Sequence, residues 1–260
     1  MGHALQYAEF AHAIIVRILM IKYIQIFGER CSGTNFVASL VNKNFRDVRI
    51  TKEFGGKHWF IKDHYPRCRP NQSTDVQCVR SIEDDNSDTL FLCIFRNPFD
   101  WVRSLHSRPY HAYNHVNLPL SQFMRKPWLS YEKSRVNRKW PIRDDNYWFI
   151  DEAMNILKLR SLKNEHWLGL QNVVDNFCMI NYDALVNNNQ ELANITSQFQ
   201  IELEQPEIIG EPIYIGRPGD KPYAPPKYPA FSEGDLEFLQ EELDWHLENQ
   251  IGFHFSDYQN

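Results

Sequence analysis

The seven residues Thr89-Leu-Phe-Leu-Cys-Ile-Phe95 constrain the fold more than any other stretch of this chain. A short, continuous apolar run of this kind predicts a strand buried on both faces of a parallel sheet. Asn97-Pro98 follows, with proline where a first helical turn tolerates it, and Trp101, Val102 and Leu105 then mark a helix ending near Pro109. The same order occurs earlier in the chain. Ile21-Lys-Tyr-Ile-Gln-Ile-Phe27 alternates as a strand and breaks at Gly28, after which Phe36, Val37, Leu40 and Val41 recur at helical spacing up to Asn44. His58-Trp-Phe-Ile61 reads as a second short strand, and Phe177 to Tyr182 as a fourth, before a helix over Ala184–Phe199. Tyr147 to Trp167 reads as one long helix, and Glu233 to Gln250 as a charged closing helix with Leu236, Leu239, Leu243 and Leu247 on one face. Strands alternating with helices predict a three-layer α/β fold. Its sheet is mainly parallel, with helices on both faces, a P-loop-like strand–loop–helix, and ligands bound beyond the carboxyl ends of the strands.

With 260 residues, the chain is long enough for one large domain. Met20 directly precedes the first convincing strand, so the expected domain covers 20–260 and 1–19 form an N-terminal extension. The balance of 28 Lys+Arg against 33 Asp+Glu gives a net charge of −5, which argues against a nucleic-acid partner that needs a basic face. The apolar stretch Phe10–Phe27 is broken by His12, Arg17 and Lys22, so neither a membrane span nor a signal peptide is expected. Five cysteines (Cys31, Cys68, Cys78, Cys93 and Cys178) are odd in number and lack metal-ligand spacing, which predicts reduced thiols in a cytoplasmic protein and no metal site. Aromatic residues make up 14%, fitting either a groove that stacks on sugars or bases or an aromatic-rich core. Two long loops, 67–88 and 210–230, interrupt the pattern. The second carries Tyr214, Arg217, Lys221, Tyr223 and Tyr228, and reads as a lid or a solvated connector.

Gly28-Glu-Arg-Cys-Ser-Gly33-Thr34 closes the first strand and opens a helix, so its backbone N–H groups and the helix N-terminus form an anion site. The spacing matches a phosphate loop, but Thr34-Asn35 stands where a nucleotide triphosphatase places Lys-Ser/Thr, so ATP or GTP hydrolysis is not expected. Arg96 ends the central strand, and Ser104 lies eight residues on, about two turns into the next helix, where one phosphate meets both.

Ser32-Gly33-Thr34 resembles the loop with which sulfotransferases hold the 5′-phosphosulfate of 3′-phosphoadenosine 5′-phosphosulfate (PAPS), and Arg96-Asn-Pro-Phe-Asp-Trp-Val-Arg-Ser104 resembles their 3′-phosphate motif. Ile180-Asn-Tyr-Asp-Ala-Leu185 and Leu247-Glu-Asn-Gln-Ile-Gly-Phe253 extend the likeness more faintly. The resemblance implies a PAPS-dependent sulfotransferase that needs no metal, releases 3′-phosphoadenosine 5′-phosphate (PAP), and sulfates a small-molecule or glycan acceptor. It implies cofactor contacts from Arg30, Cys31, Ser32, Gly33, Thr34, Asn35, Arg96, Ser104 and Arg217. Two departures stand out: Cys31 occupies the position of the family's basic residue, with Arg30 one earlier, and Asn35 replaces a common threonine. On the acceptor side Lys62-Asp-His64-Tyr-Pro66 resembles the family's Lys-x-His-x-Pro turn, Lys57-His58 competes with it, and Glu53 is a third candidate base. Tyr110, His111 and Trp128 either line the acceptor cleft or serve packing. The alternatives are a nucleotide-binding module or a small-molecule kinase built on the same loop.

Overall fold

The computed structural model describes residues 20–58, 60, 80–109, 112–133, 147–187, 190–204, 213–214, 221–222 and 227–258. Four parallel strands form the central sheet: β1 (Tyr23–Phe27), β2 (Arg49–Thr51), β3 (Thr89–Phe95) and β6 (Asn176–Asn181), in the order β2-β1-β3-β6. All seven residues of β3 are buried, as expected for a strand with neighbours on both edges and helices on both faces.

Alternation along the strands divides the core. Ile24 and Ile26 of β1, Leu90, Leu92 and Ile94 of β3, and Ile180 of β6 face one side. There they meet Val37 and Val41 of α1 (Thr34–Asn44), Leu185 of α5 (Tyr182–Asn187), and Leu192 and Ile195 of α6 (Gln190–Phe199). Phe27, Phe91, Cys93 and Phe95 face the other, against Trp167 and Leu168 of α4 (Ile156–Gly169) and the C-terminal Ile251 and Phe253. A period of two feeding two helical layers is the three-layer α/β architecture expected from the sequence. A third cluster joins α2 (Pro98–Ser107), α3 (Leu120–Arg125) and α7 (Glu233–Glu242) around Phe99, Trp101, Phe123 and Leu239.

Three sequence expectations need correction. The second strand is β2 at Arg49–Thr51; His58 lies in a turn and Phe60 lies outside any strand. Tyr147–Ala153 is a strand, β5, paired antiparallel with β4 (Trp128–Lys133), where a helix was expected. Tyr147, Trp148, Phe149 and Ile150 have high strand preference, and the ladder to β4 uses it. The helix begins only after Asn155, whose side chain accepts from the N–H groups of Leu157 and Lys158. The closing helix is two: α7 stops at Glu242, and α8 (Trp245–Gln250) restarts because Asp244 caps the N–H groups of His246 and Leu247. A short ladder, β7 (Ile213–Tyr214) with β8 (Lys221–Pro222), lies within the second long loop. The extension 1–19 lies outside the described residues. No helix among the described residues is long and apolar enough to cross a membrane.

Candidate functional site

From β1 the chain steps outward to β2 and then returns to β3 on the opposite side of β1. The order therefore reverses between β1 and β3, and the crevice beyond their carboxyl ends is where open α/β sheets bind ligands. The glycine loop leaves β1 at that point, and Arg96 leaves β3 beside it.

Close packing shapes the loop. A Cβ on Gly28 would lie 2.7 Å from Ile94 Cγ2, and the Gly28 N–H donates to the Lys57 carbonyl at 2.9 Å. Cys31 (φ 66°) and Gly33 (φ 99°) are both left-handed. A Cβ on Gly33 would come within 2.2 Å of the Tyr182 ring, so only glycine passes there. Gly33 is also the N-cap of α1 and offers no side chain to the first N–H groups of that helix. Those donors are left for an anion. Ser32 and Thr34 are buried, and both the Ser32 hydroxyl, at 2.5 Å, and the Ser32 N–H, at 3.1 Å, donate to the Glu29 carbonyl, which closes the turn of the loop.

Beneath the loop sits a buried ionic group. Glu29 pairs with Lys163 Nζ at 2.5 Å and with Arg30 Nη1 at 3.1 Å, and it also accepts from the Arg30 N–H at 2.7 Å. Burial alone would raise the Glu29 carboxyl, but the Lys163 ammonium and Arg30 guanidinium outweigh it and hold the carboxyl below its ordinary value. Arg30, expected on the 5′-phosphate, is thus 4% exposed and shared with a carboxylate, while its carbonyl accepts from Trp101 Nε1 at 2.9 Å.

Arg96 reaches across to the loop. Its Nη1 donates to the Cys31 carbonyl at 3.1 Å, and its guanidinium lies 4.9 Å from the centre of the Tyr182 ring. Ser104 lies beside the Cys31 thiol, close enough to favour its ionised form. Burial pushes that thiol up to about 11, opposed by Ser104, Arg96 and Arg108. The strand-end arginine and the helical serine therefore converge on one residue of the glycine loop. Behind them Arg160 donates to the Arg96 carbonyl at 2.8 Å and pairs with Glu248 at 2.6 Å, both side chains being buried. Asp183 accepts from the Asn97 N–H at 3.0 Å; burial raises its carboxyl, with the Asn97 N–H and Arg96 opposing.

Of the candidate bases, His58 lies against the loop. Its Nδ1 is 2.7 Å from the Gly28 carbonyl, which only accepts, so Nδ1 carries the proton and Nε2 is the bare nitrogen. Burial, reinforced by Arg30, keeps the imidazole well below its ordinary value and hence neutral. Lys57 bonds through Nζ to Asn35 Oδ1; burial and Lys52 lower its ammonium. Glu53 stands apart, paired with Arg80 at 3.5 Å. Trp128 needs correction as an acceptor-cleft residue. It is fully buried, 4.7 Å from the His115 ring and 5.7 Å from that of Phe123, because β4 carries it into the third core cluster. Lys62, His64, Tyr110, His111 and Arg217 lie outside the described residues. Sequence reasoning missed Lys163, Arg160 and Tyr182; the one local signal was Glu29, an acid inside an anion loop, which demands a counter-charge from elsewhere.

Among the described residues no group of three or more His, Cys, Asp or Glu side chains is placed to hold a metal ion. A scan against protein-family models finds no match to this chain, and a search of curated proteins finds no relative.

Proposed function

We propose that this protein is a PAPS-dependent sulfotransferase acting on a hydroxyl acceptor, most simply that of a saccharide. The observation that carries the reading is the convergence of Arg96 and Ser104 on Cys31 at the switch point of the sheet. One phosphate alongside α2 would meet the guanidinium and the hydroxyl, while a second group at the start of α1 would meet backbone N–H donors. The Tyr182 ring, already stacked by Arg96, supplies an apolar wall.

In the proposed reaction the acceptor oxygen attacks sulfur, the bond from sulfur to the bridging oxygen breaks, and the electron pair leaves on the 5′-phosphate of PAP. His58 Nε2, neutral and unprotonated, takes the acceptor proton. Lys57 and the loop N–H groups stabilise the charge that develops on the leaving oxygen. The kinase alternative fits less well, because no lysine follows Gly33. Free Cys31, Cys93 and Cys178 suit a reducing, cytoplasmic setting.

Thermal unfolding with PAP or with ATP and Mg²⁺ tests the reading. PAP at 100 times its dissociation constant is expected to add ~2.7 kcal/mol and raise Tm, with no comparable shift from ATP. Greater stabilisation by ATP would overturn it in favour of the kinase or binding-module alternatives.

A further inference from the structure

The peptide unit between Arg96 and Asn97 joins the central strand to α2, and both of its polar atoms are held by side chains from other elements. Its carbonyl accepts from Arg160 Nη2 of α4 at 2.8 Å, and its N–H donates to Asp183 Oδ2 of α5 at 3.0 Å. The chain has left β3 here and α2 has not yet begun, so these groups are satisfied from outside the backbone ladder. A planar unit held at both ends fixes the direction in which the chain enters α2. That direction sets where the Arg96 side chain departs and where α2 carries Ser104. Arg160 is itself fixed before it reaches Arg96. Its Nε and Nη2 fork onto Glu248 of α8 at 2.6 and 2.8 Å, Asn164 donates to the same carboxylate at 3.1 Å, and the guanidinium lies 4.9 Å from the centre of the Trp101 ring. Arg160 and Glu248 are 2% and 1% exposed. Desolvation of two such charges offsets their attraction, so stability gives little reason for an ion pair at this place in the core. What the pair does supply is an immobilised fork that reaches a carboxylate and a backbone carbonyl together.

We propose that Arg160, oriented by Glu248, is a positioning residue for the anion site: it holds the Arg96–Asn97 peptide so that Arg96 and Ser104 meet the same phosphate, and it thereby makes the docking of α8 a condition for nucleotide discrimination. The inference rests on the proposed assignment of a 3′-phosphate to Arg96 and not on sulfuryl transfer. An arginine that only tied α4 to α8 would lower Tm when replaced, without favouring one nucleotide over another, and that difference is measurable.

The test is calorimetric titration of the full chain with PAP and with adenosine 5′-monophosphate, in wild type, Arg160→Lys, Arg96→Ala and the variant carrying both substitutions. Lysine keeps a positive partner for Glu248 but gives up the fork. Arg160→Lys is expected to bind PAP about fivefold to twentyfold more weakly, part of what one charge-assisted hydrogen bond contributes, with the monophosphate within about threefold of wild type. In the Arg96→Ala background the same change should weaken PAP by no more than about threefold, because a residue that acts through Arg96 then has nothing left to aim. Wild-type PAP affinity in Arg160→Lys, equal losses for the two nucleotides, or full additivity of the two substitutions overturns the inference. Should Arg160→Lys fail to fold, Arg160→Met with Glu248→Leu decides, since an apolar pair can replace a buried ion pair with little loss of stability. Selective loss of PAP in that variant supports the inference, and unchanged discrimination overturns it. A wild type that does not distinguish PAP from the monophosphate overturns both this inference and the reading of Arg96, whereas a discriminating wild type with an unaffected Arg160→Lys overturns the inference alone.

Discussion

His58 is held as a neutral imidazole with its Nδ1 proton committed to the Gly28 carbonyl, so in the proposed reaction the proton has one place to go, Nε2. His58→Gln should lower turnover by ~10²–10⁴-fold while leaving PAP affinity unchanged, since a general base does not hold the cofactor. The acid limb of the wild-type turnover profile should fall well below 6.5, because burial disfavours the imidazolium. A limb at or above 6.5 would assign the proton to another group. At this scale the sequence was informative about which residues lie together where they are close in the chain. The nearness of Arg96 and Ser104 was legible because strand end and helix turn fix their separation. Lys163 was not, since its contact with Glu29 is made only when α4 packs beneath the sheet. Trp128 was left between two roles because an aromatic after a basic stretch reads alike whether it lines a cleft or fills a core.

The element that depends most on a single residue is the loop into α1. Gly33→Ala puts a Cβ at φ 99° and 2.2 Å from the Tyr182 ring. The left-handed conformation alone costs ~1–2 kcal/mol for a non-glycine residue, and displacement of the ring adds to it. Urea unfolding should show at least that loss, with the proposed nucleotide binding abolished; a variant of wild-type stability would mean that the loop relaxes freely. The strands and helices of both strand–loop–helix units were legible, because β3 and β1 have distinct apolar patterns and Asn97-Pro98 marks a helix start. β5 was read as helix, since Phe149, Ile150 and Ala153 also fit a helical period and the partner strand β4 was not foreseen. The single closing helix split for a similar reason: its leucine spacing runs on through Asp244, which in the structure caps a new helix.

Across the whole molecule, the class of fold was legible from alternating elements, but the strand order was not, because parallel pairing is set by crossovers whose direction leaves no local signature. The buried charges under the site tie function to acid stability. The folded state keeps His58 neutral below 6.5, where the unfolded chain takes up a proton, so stability falls as pH drops from 6.5 toward the lower folded value. Glu29, held below 4.5, adds stability above that value that is lost as pH falls through its folded value, while Asp183, raised from 3.8, opposes this at low pH. The Tm should therefore decline from pH 7 toward pH 5, and His58→Gln should flatten that decline; an equal slope in the variant would remove His58 from the balance.

The central claim, that Arg96 reads a 3′-phosphate at the switch point, is tested most directly by calorimetric titration of wild type and Arg96→Ala with PAP and with adenosine 5′-monophosphate. A charge-assisted hydrogen bond is worth ~1.5–3 kcal/mol, so the substitution should weaken PAP by about tenfold to a hundredfold and leave the monophosphate nearly unaffected. Equal losses for the two nucleotides, or wild-type binding that ignores the 3′-phosphate, would contradict the account.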